Sequence, residues 1–584
     1  MAGLKTREEL RYQVDERAPM PITLGIGLQH AVLSLSSMML MPTVAFRAGG
    51  GSDAAVLWVV FASMTISGAI IALHARPFAR FGAGYVLAIG PTGAAIAVTA
   101  DALNAGGPAM LALLVIMASA IQFAFALRMS LLRRLLTPTV SGTALMLIPV
   151  TIFPVMFDML DEAPPEAPEV AAPLCAAITF LVVGGIMLKG TAGLRNWAPI
   201  CGIVLGSIAA AFYGLYDFDR VAEAAWFGAP TQWPTHFAEI TEGPDIEAFV
   251  GLAPAFVLLF LVSAIRSMSS SLAIQTVSWR TRRAPDFRPV QGVIAADALS
   301  NLAAGLAGTM PNGANSGTVA RTQLSGVASR PVGLAFGAAL VLLAFCPKIV
   351  ALVLAVPAPV FAGFVTIMIA SVFTVGLKMA VSEGVDSQQG LIIGLAFWIG
   401  AGCQYGFIFP EFVSAFAGGM LASALTTGGL VAILTTSFLL LTAPRKQRFE
   451  TELALSALPR LREFVRALAK RRRLPAAMVE RLDAVCEEAL LTLLGDEESS
   501  VEQIRRLRVV AFVEADAVVL EFAAAGGQEN IEDRLAVLGD TATGDSIDRD
   551  LSLRLLRHLA SDVRHRQYYD VDIVSLRVEP AAAR

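Results

Sequence analysis

Gly82-Ala-Gly-Tyr-Val-Leu-Ala-Ile-Gly-Pro-Thr-Gly93 and Gly308-Thr-Met-Pro-Asn-Gly-Ala-Asn-Ser-Gly317 interrupt two long apolar parts of the chain. Both stretches are rich in glycine and proline, the second also in asparagine, and each is followed by a helical run. Within a bilayer no water is at hand to satisfy a bare N–H or C=O. Irregular backbone therefore survives there only against other protein or a water-filled cavity. One such break in each half of a chain points to a carrier built from inverted repeats, with its site where the broken spans meet. Two kinks that only aid helix packing are the plainer reading of the same residues.

The surroundings of the breaks fit a membrane. The 584 residues are 55% hydrophobic and 16% charged, with a mean hydropathy of +0.65, more apolar than a soluble domain of this size. Of the 92 charged residues, 47 fall in the last 140, so a charge-poor body precedes a charge-rich tail. Apolar runs near the 20 or so residues that span a hydrocarbon core recur at 22–43, 55–75, 84–101, 107–128, 138–157, 171–189, 198–216, 249–272, 290–308, 314–330, 331–352, 359–378, 388–406 and 412–441. The expectation is an all-α polytopic protein of 14 membrane segments, with residues 1–20 as a polar N-terminal segment, 21–444 as the membrane domain and 445–584 as a cytoplasmic α/β domain.

Loop charge gives the orientation. Cytoplasmic loops carry the excess of Lys and Arg, and the loops after even-numbered spans are basic: His74 to Arg80, Arg128 to Arg134, Lys189 to Arg195, and Arg280 to Arg283. The loops after spans five and seven, Asp158 to Glu169 and Asp217 to Glu247, are acidic. Both termini are then cytoplasmic, and the protein is expected in the inner (plasma) membrane. The mixed-charge N-terminus is unlike a cleaved leader. A net charge of −4 gives a nucleic-acid partner no electrostatic footprint. Cys175, Cys201, Cys346, Cys403 and Cys486 are scattered without a metal or disulfide spacing.

At these residues the chain resembles the nucleobase–ascorbate transporter family, which includes the uracil and xanthine permeases. Gly27-Leu-Gln-His30 with Leu40-Met-Pro-Thr-Val44 is similar to its first-helix signature, and Leu136-Thr-Pro-Thr-Val-Ser-Gly-Thr143 to its fifth-helix element. Asp297 to Asn312, Thr322 to Arg330 and Val356 to Gly363 resemble its later blocks in the same order. The resemblance implies seven plus seven helices in inverted repeats, a core and a gate domain, a homodimer, and alternating access for a small-molecule substrate. It also implies a site departure. Where relatives carry an acid on the eighth helix, this chain has Arg266 in Ala264-Ile-Arg-Ser-Met-Ser-Ser-Ser-Leu272. Where uracil-type members carry a second acid it has Gly317, and where they place a stacking ring it has Gly93.

Half-helices starting at the breaks direct free N–H groups and partial positive charge into the site. Arg266 adds a full positive charge, and an isolated charge in the membrane interior is costly. A bound anion would offset it: deprotonated xanthine or urate, or a smaller inorganic or carboxylate anion. A structural ion pair is the alternative role for Arg266. The expected ligand-binding set is Arg266, Ser269, Ser270, Thr92, Gly93, Asn312, Asn315, Gly317 and Thr318. The serines are also readable as packing residues, and Thr92, Asn312 and Asn315 as repair for broken backbone. His30, Gln29 and Asp297 are the expected neighbours of the site and candidates for coupling; for His30 a satisfied core histidine competes, and for Asp297 a structural role. No cofactor is implied beyond a proton or sodium gradient. The Gly418 to Gly429 run reads as helix packing or a hinge.

From Arg445 the pattern becomes an amphipathic helix, a helix over Ala477 to Leu494, paired strands at Arg508 to Ala515 and Ala517 to Phe522, a helix over Leu551 to Val563 and a last strand, Val571 to Val578. The order resembles an anti-sigma-factor-type ATPase-like domain of the histidine-kinase superfamily. Glu488 is retained, but the magnesium-binding asparagine aligns with Thr492, the adenine-reading turn with Ala524-Ala-Gly-Gly527, and the phosphate glycines with Asp548 and Asp550. Two aspartates repel phosphate where a positive helix start should hold it. A pseudo-ATPase with a protein partner is therefore expected. A transport-like sensor that reports through this tail is the reading from a different class of function.

Overall fold

The computed structural model describes residues 10–129, 137–162, 167–195, 197–230, 245–281, 283–315, 317–381, 387–411, 421, 423–442, 447–494, 506–514, 517–524, 530–532, 547–569 and 571–580. Arg133 and Arg134, much of the acidic loop before Asp245, part of the Gly418 to Gly429 run, and residues 525–527 of the expected adenine turn lie outside them. The chain divides into two compact units. One joins Lys5–Arg280 to Pro289–Leu440; the other joins Thr281–Arg288 to Leu441–Arg584.

The first unit is helical. Its helices are α1 (Met20–Ala48), α2 (Asp53–Ala75), α3 (Ile96–Leu127), α4 (Pro138–Asp161), α5 (Ala171–Lys189), α6 (Ala198–Phe212), α7 (Ile246–Val277), α8 (Phe287–Leu306, whose first two residues count with the other unit), α9 (Gly317–Ser325), α10 (Arg330–Ala344), α11 (Pro347–Leu354), α12 (Ala358–Ala380), α13 (Ser387–Gln404) and α14 (Ala424–Thr442). Local signals start them where the sequence supplies a capping oxygen. Ser52 accepts from Ala55 N–H, Thr137 from Val140 N–H with Pro138 at the first turn, and Asp245 from the N–H groups of Glu247 and Ala248. Two expected spans, 84–101 and 107–128, share α3, which is broken at Gly106 and Gly107; Gly107 takes φ of +64°, a conformation glycine adopts without a Cβ clash.

Among the described residues six helices are long and apolar enough to cross a membrane, and a seventh span arises from α10 and α11, which meet at 73°. Of the remaining expected spans, the described residues give shorter apolar helices over Pro138–Pro154, Ala198–Phe212 and Ala424–Leu439, and the others fall on α8, α9 and α13, which do not reach the length and apolarity of a crossing. Helices cross where small residues let backbones touch. A Cβ at Gly142 on α4 would stand 2.5 Å from the Gly376 carbonyl on α12, and one at Gly68 on α2 would stand 2.7 Å from the Gly337 carbonyl on α10.

At the two breaks the chain forms strands instead of kinks. β1 (Ala88–Pro91) and β2 (Asn312–Asn315) pair antiparallel in the register Ala88↔Asn315, Ile89↔Ala314, Gly90↔Gly313 and Pro91↔Asn312. This pairing satisfies backbone that would otherwise lie bare among apolar helices.

The second unit is a two-layer α/β domain. β3 (Gln447–Glu452), β4 (Arg506–Glu514), β5 (Ala517–Ala524), β6 (Asp562–Gln567) and β7 (Asp572–Val578) form an antiparallel sheet in the order β3-β4-β5-β7-β6. Helices α15 (Leu458–Arg472), α16 (Ala476–Leu494) and α17 (Ile547–Leu559) share a core with it: Leu461, Leu482 and Leu556 pack with Val509, Leu520, Phe522 and Leu576. The sequence reading lacks β3 and runs its last helix into β6. Both are edge strands with one apolar residue each, Phe449 and Val563, so they lack the alternation that marks a half-buried strand. Thr281–Arg288 belongs to this unit: Phe287 lies 5.2 Å, ring to ring, from Tyr568, and Arg288 forks onto Asp286 (Nε–Oδ1 3.0 Å, Nη2–Oδ2 2.9 Å).

Candidate functional site at the crossing of the broken spans

The strand pair holds two helix starts side by side. After β1, Thr92 caps the turn Gly93–Ala95 that leads into α3, its hydroxyl accepting from Ala94 N–H at 3.3 Å. After β2, Asn315 Oδ1 accepts from Gly317 N–H at 2.8 Å at the start of α9. Thr318 stitches the two together, its hydroxyl accepting from Ala88 N–H at 2.9 Å. Asn312 turns away toward α8: its N–H donates to Asn301 Oδ1 (2.7 Å) and its Nδ2 to Ser300 Oγ (3.1 Å), and Asn301 in turn donates to Gln122 Oε1 on α3 (3.0 Å). Thr92, Asn315 and Thr318 thus satisfy irregular backbone, while Asn312 ties β2 to α8.

Helix α7 lays Ser263, Arg266, Ser267 and Ser270 along β2, at the i, i+3, i+4 and i+7 spacing of one helix face. Ser267 is the hinge of this face. Its hydroxyl bonds Asp297 on α8 and accepts from Ala314 N–H in β2 at 3.3 Å. Asp297 is fully buried, and its second oxygen has no partner among the described residues. Ser270 is buried, whereas Ser269 is exposed and its hydroxyl returns to the Ile265 carbonyl at 3.2 Å.

Arg266 is held against Gly313. A Cβ at position 313 would stand 2.7 Å from Arg266 Nη2 and 2.6 Å from Ser263 Oγ, so the guanidinium occupies the space a side chain would take. Among the described residues Arg266 has no hydrogen bond and no ion pair, and its Nε is sealed from solvent without a partner. Among the described residues no carboxylate lies within ion-pair distance of it; Asp297, whose charge it feels, bonds Ser267 through one oxygen.

The remaining expected residues surround this core. At Gly93 a Cβ would meet Met368 Sδ of α12 at 2.5 Å, so a thioether fills the place expected for a stacking ring. His30 on α1 is buried with its ring 5.5 Å from Phe336, its Nδ1 has no partner among the described residues, and its carbonyl accepts from Arg321 Nη1 at 3.2 Å. Gln29 is exposed on the same helix. Among the described residues no group of His, Cys, Asp or Glu is arranged to hold a metal. Ser263, Arg321 and Met368 join the site without having been singled out in the sequence. Arg321 carried a signal, a lone cation in the half-helix after Gly317; Met368 carried none, because only the tertiary fold brings α12 to Gly93.

In chemical terms the crossing offers two helix starts, a cluster of hydroxyls and an unpaired guanidinium in a protein interior. Such a site disfavours a cation. Comparison with known proteins is in keeping with a carrier. Residues 22–409 match the model of the Permease family, that of xanthine and uracil permeases. The uric acid permease PucK of Bacillus subtilis (strain 168) is 26% identical over 434 residues, 73% of this chain and 97% of that protein. The xanthine permease XanP of Escherichia coli (strain K12) is 24% identical over 473 residues, 75% of this chain and 96% of that protein. Among solved structures, the transmembrane domain of the cyanobacterium bicarbonate transporter BicA aligns over 73% of this chain and 99% of that chain, at 19% identity and a TM-score of 0.45.

Proposed function

The chain belongs to the Permease family of xanthine and uracil carriers and is a multi-pass nucleobase permease, and on that premise we propose that it carries an oxidised purine, xanthine or urate, as the anion. The observation that carries this reading is Arg266, a guanidinium at the crossing of the broken spans with neither an ion pair nor a hydrogen bond among the described residues. A neutral base leaves that charge uncompensated; an anion compensates it and also accepts from the half-helix starts.

The transport cycle follows from the same premise: alternating access by a core carrying α7, α8 and the two half-helices, against a gate. Seven plus seven inverted repeats are supported by the contacts. The third and tenth expected spans pair through β1 and β2, and the fifth and twelfth cross at Gly142 and Gly376. The second meets the eleventh at Gly68 and Gly337, and the fourth meets the ninth at Ile116 and Gly305. Exchanging the halves maps each of these contacts onto itself or onto another of them. The orientation, with both termini cytoplasmic in the inner membrane, rests on the basic and acidic loops, and the homodimer on the family resemblance.

The tail is assigned a regulatory role without nucleotide chemistry. Thr492 stands where magnesium needs an asparagine, and its hydroxyl bonds back to the Glu488 carbonyl at 2.7 Å. The connector Thr281–Arg288 leads directly from α7, which carries Arg266, to α8, which carries Asp297, and it belongs to the tail's unit. A partner that binds the tail thus has a covalent route to the site helices.

Counterflow in proteoliposomes tests the substrate, because exchange of labelled ligand requires no knowledge of the coupling ion. Xanthine or urate is expected to exchange, and Arg266→Glu to abolish exchange. Exchange of sulfate, bicarbonate or dicarboxylates with no nucleobase exchange transfers the site to small anions. Ligand binding without any exchange favours a sensor acting through the tail.

A further inference from the structure

The crossing holds a second guanidinium. Arg321 lies one turn into α9 from Gly317, and helical side chains lean back toward the helix start. Its Nη2 accordingly lies 3.4 Å from where a Cβ at Gly317 would stand. Nη1 is committed to α1, donating to Ser34 Oγ at 2.9 Å and to the His30 carbonyl at 3.2 Å. Nε is sealed from solvent and without a partner, and among the described residues neither Nε nor Nη2 meets an acceptor. Those two nitrogens form one edge of the guanidinium, a pair of parallel N–H donors spaced for two adjacent acceptors. The edge has no hydrogen-bond partner among the described residues and lies beside the start of the half-helix.

We propose that Arg321 is a specificity-determining residue that selects the anionic form of the substrate by donating from Nε and Nη2 to two adjacent acceptors on its ring. The inference rests on the anionic-purine reading above and adds the residue that separates anion from neutral base. A deprotonated purine such as urate places a bare ring nitrogen next to a carbonyl oxygen, which gives two acceptors side by side. Neutral uracil flanks its carbonyls with N–H or C–H groups, so one of the paired donors would face a hydrogen and be left unsatisfied. Charge acts in the same direction. Arg266 and Arg321 against Asp297 leave one formal positive charge, which a monoanion cancels and a neutral base does not.

Arg321 also ties α9 to α1, so its test must separate recognition from bracing. Full-length wild type, Arg321→Gln, Arg321→Lys and Ser34→Ala are compared in proteoliposomes for exchange of labelled urate and for competition by urate and by uracil. Arg321→Gln is expected to weaken urate at least tenfold while changing uracil less than twofold. Arg321→Lys, which keeps the charge but not the fork, is expected to fall between. Ser34→Ala removes one brace contact, leaves the unpaired edge in place, and is expected to keep the wild-type ratio of urate to uracil affinity. Urate exchange by the wild type with an unchanged ratio in Arg321→Gln overturns this inference alone, as does an equal loss of both ligands in Arg321→Gln and Ser34→Ala. A wild type that neither binds nor exchanges urate or xanthine overturns the anionic-purine reading and this inference with it.

Discussion

Replacing Gly313 by alanine asks how tightly Arg266 is held. The added Cβ would meet Arg266 Nη2 at 2.7 Å and Ser263 Oγ at 2.6 Å, closer than such contacts tolerate, so the guanidinium must move. Displacements of this kind cost about 1–3 kcal/mol in a packed interior, and here the cost falls on the group proposed to hold the substrate. The expected outcome is a rise in the urate KM of about tenfold, on the rule that about 1.4 kcal/mol is a factor of ten, with a modest fall in melting temperature from the same displacement. An unchanged KM would show that Arg266 does not need its present position. Arg266 was legible in the sequence because a cation replaces an acid within a motif. The neighbour that makes room for it was not: Gly313 lies 47 residues away and is read in isolation as a loop glycine.

At the level of elements, the two breaks are visible in sequence as glycine, proline and asparagine among apolar residues, but their pairing is not. β1 and β2 are four residues each and more than 220 residues apart. Their register is set by the helices that bring them together and by side chains that close the backbone account. Thr318 is the cleanest probe of this. Thr318→Val keeps the shape and removes the oxygen that accepts from Ala88 N–H at 2.9 Å. A buried N–H left unsatisfied costs about 1–3 kcal/mol, so a lower melting temperature in detergent is expected, with stabilisation by added substrate retained. No loss of stability would mean that water or another group replaces the hydroxyl. The tail teaches the complementary lesson. Its central strands alternate and were legible, whereas edge strands β3 and β6 were not, because an exposed edge carries charge where an inner strand carries valine or leucine.

For the molecule as a whole, the two units obey different solvents and should answer differently to acid. In the tail, His565 is fully buried, and burial with the nearby Arg288 charge pushes its pKa down to about 4 against a weaker opposing effect of Asp286. Asp572 Oδ2, 3.9 Å from Nε2, lies beyond hydrogen-bond reach and also feels the Arg288 charge. The hydrogen bond agrees with this direction, since Nδ1 accepts from Ile531 N–H at 3.0 Å and protonation would break it. A folded pKa below the unfolded value means the native tail binds fewer protons. Its stability is then full above the unfolded value near 6.5 and is lost as pH falls toward 4. The loss approaches about 3 kcal/mol, or roughly 10 °C in melting temperature for a domain of this size. Scanning calorimetry of the full-length protein at pH 7 and pH 4.5 is expected to show the tail transition falling further in wild type than in His565→Gln; parallel shifts would contradict the assignment. The class of the protein is written in the chain itself, because apolar length, loop charge and broken spans are properties of a chain facing lipid, and so is the order of motifs that places it in its family. Packing alone selects the atoms that meet at the crossing: that Arg266 fills the space at Gly313, that Arg321 keeps one edge unpaired beside Gly317, and that the connector between the site helices belongs with the tail. Solvent partition acts on each residue where it stands in the chain, whereas an unpaired hydrogen-bonding edge exists only after residues distant in sequence have packed.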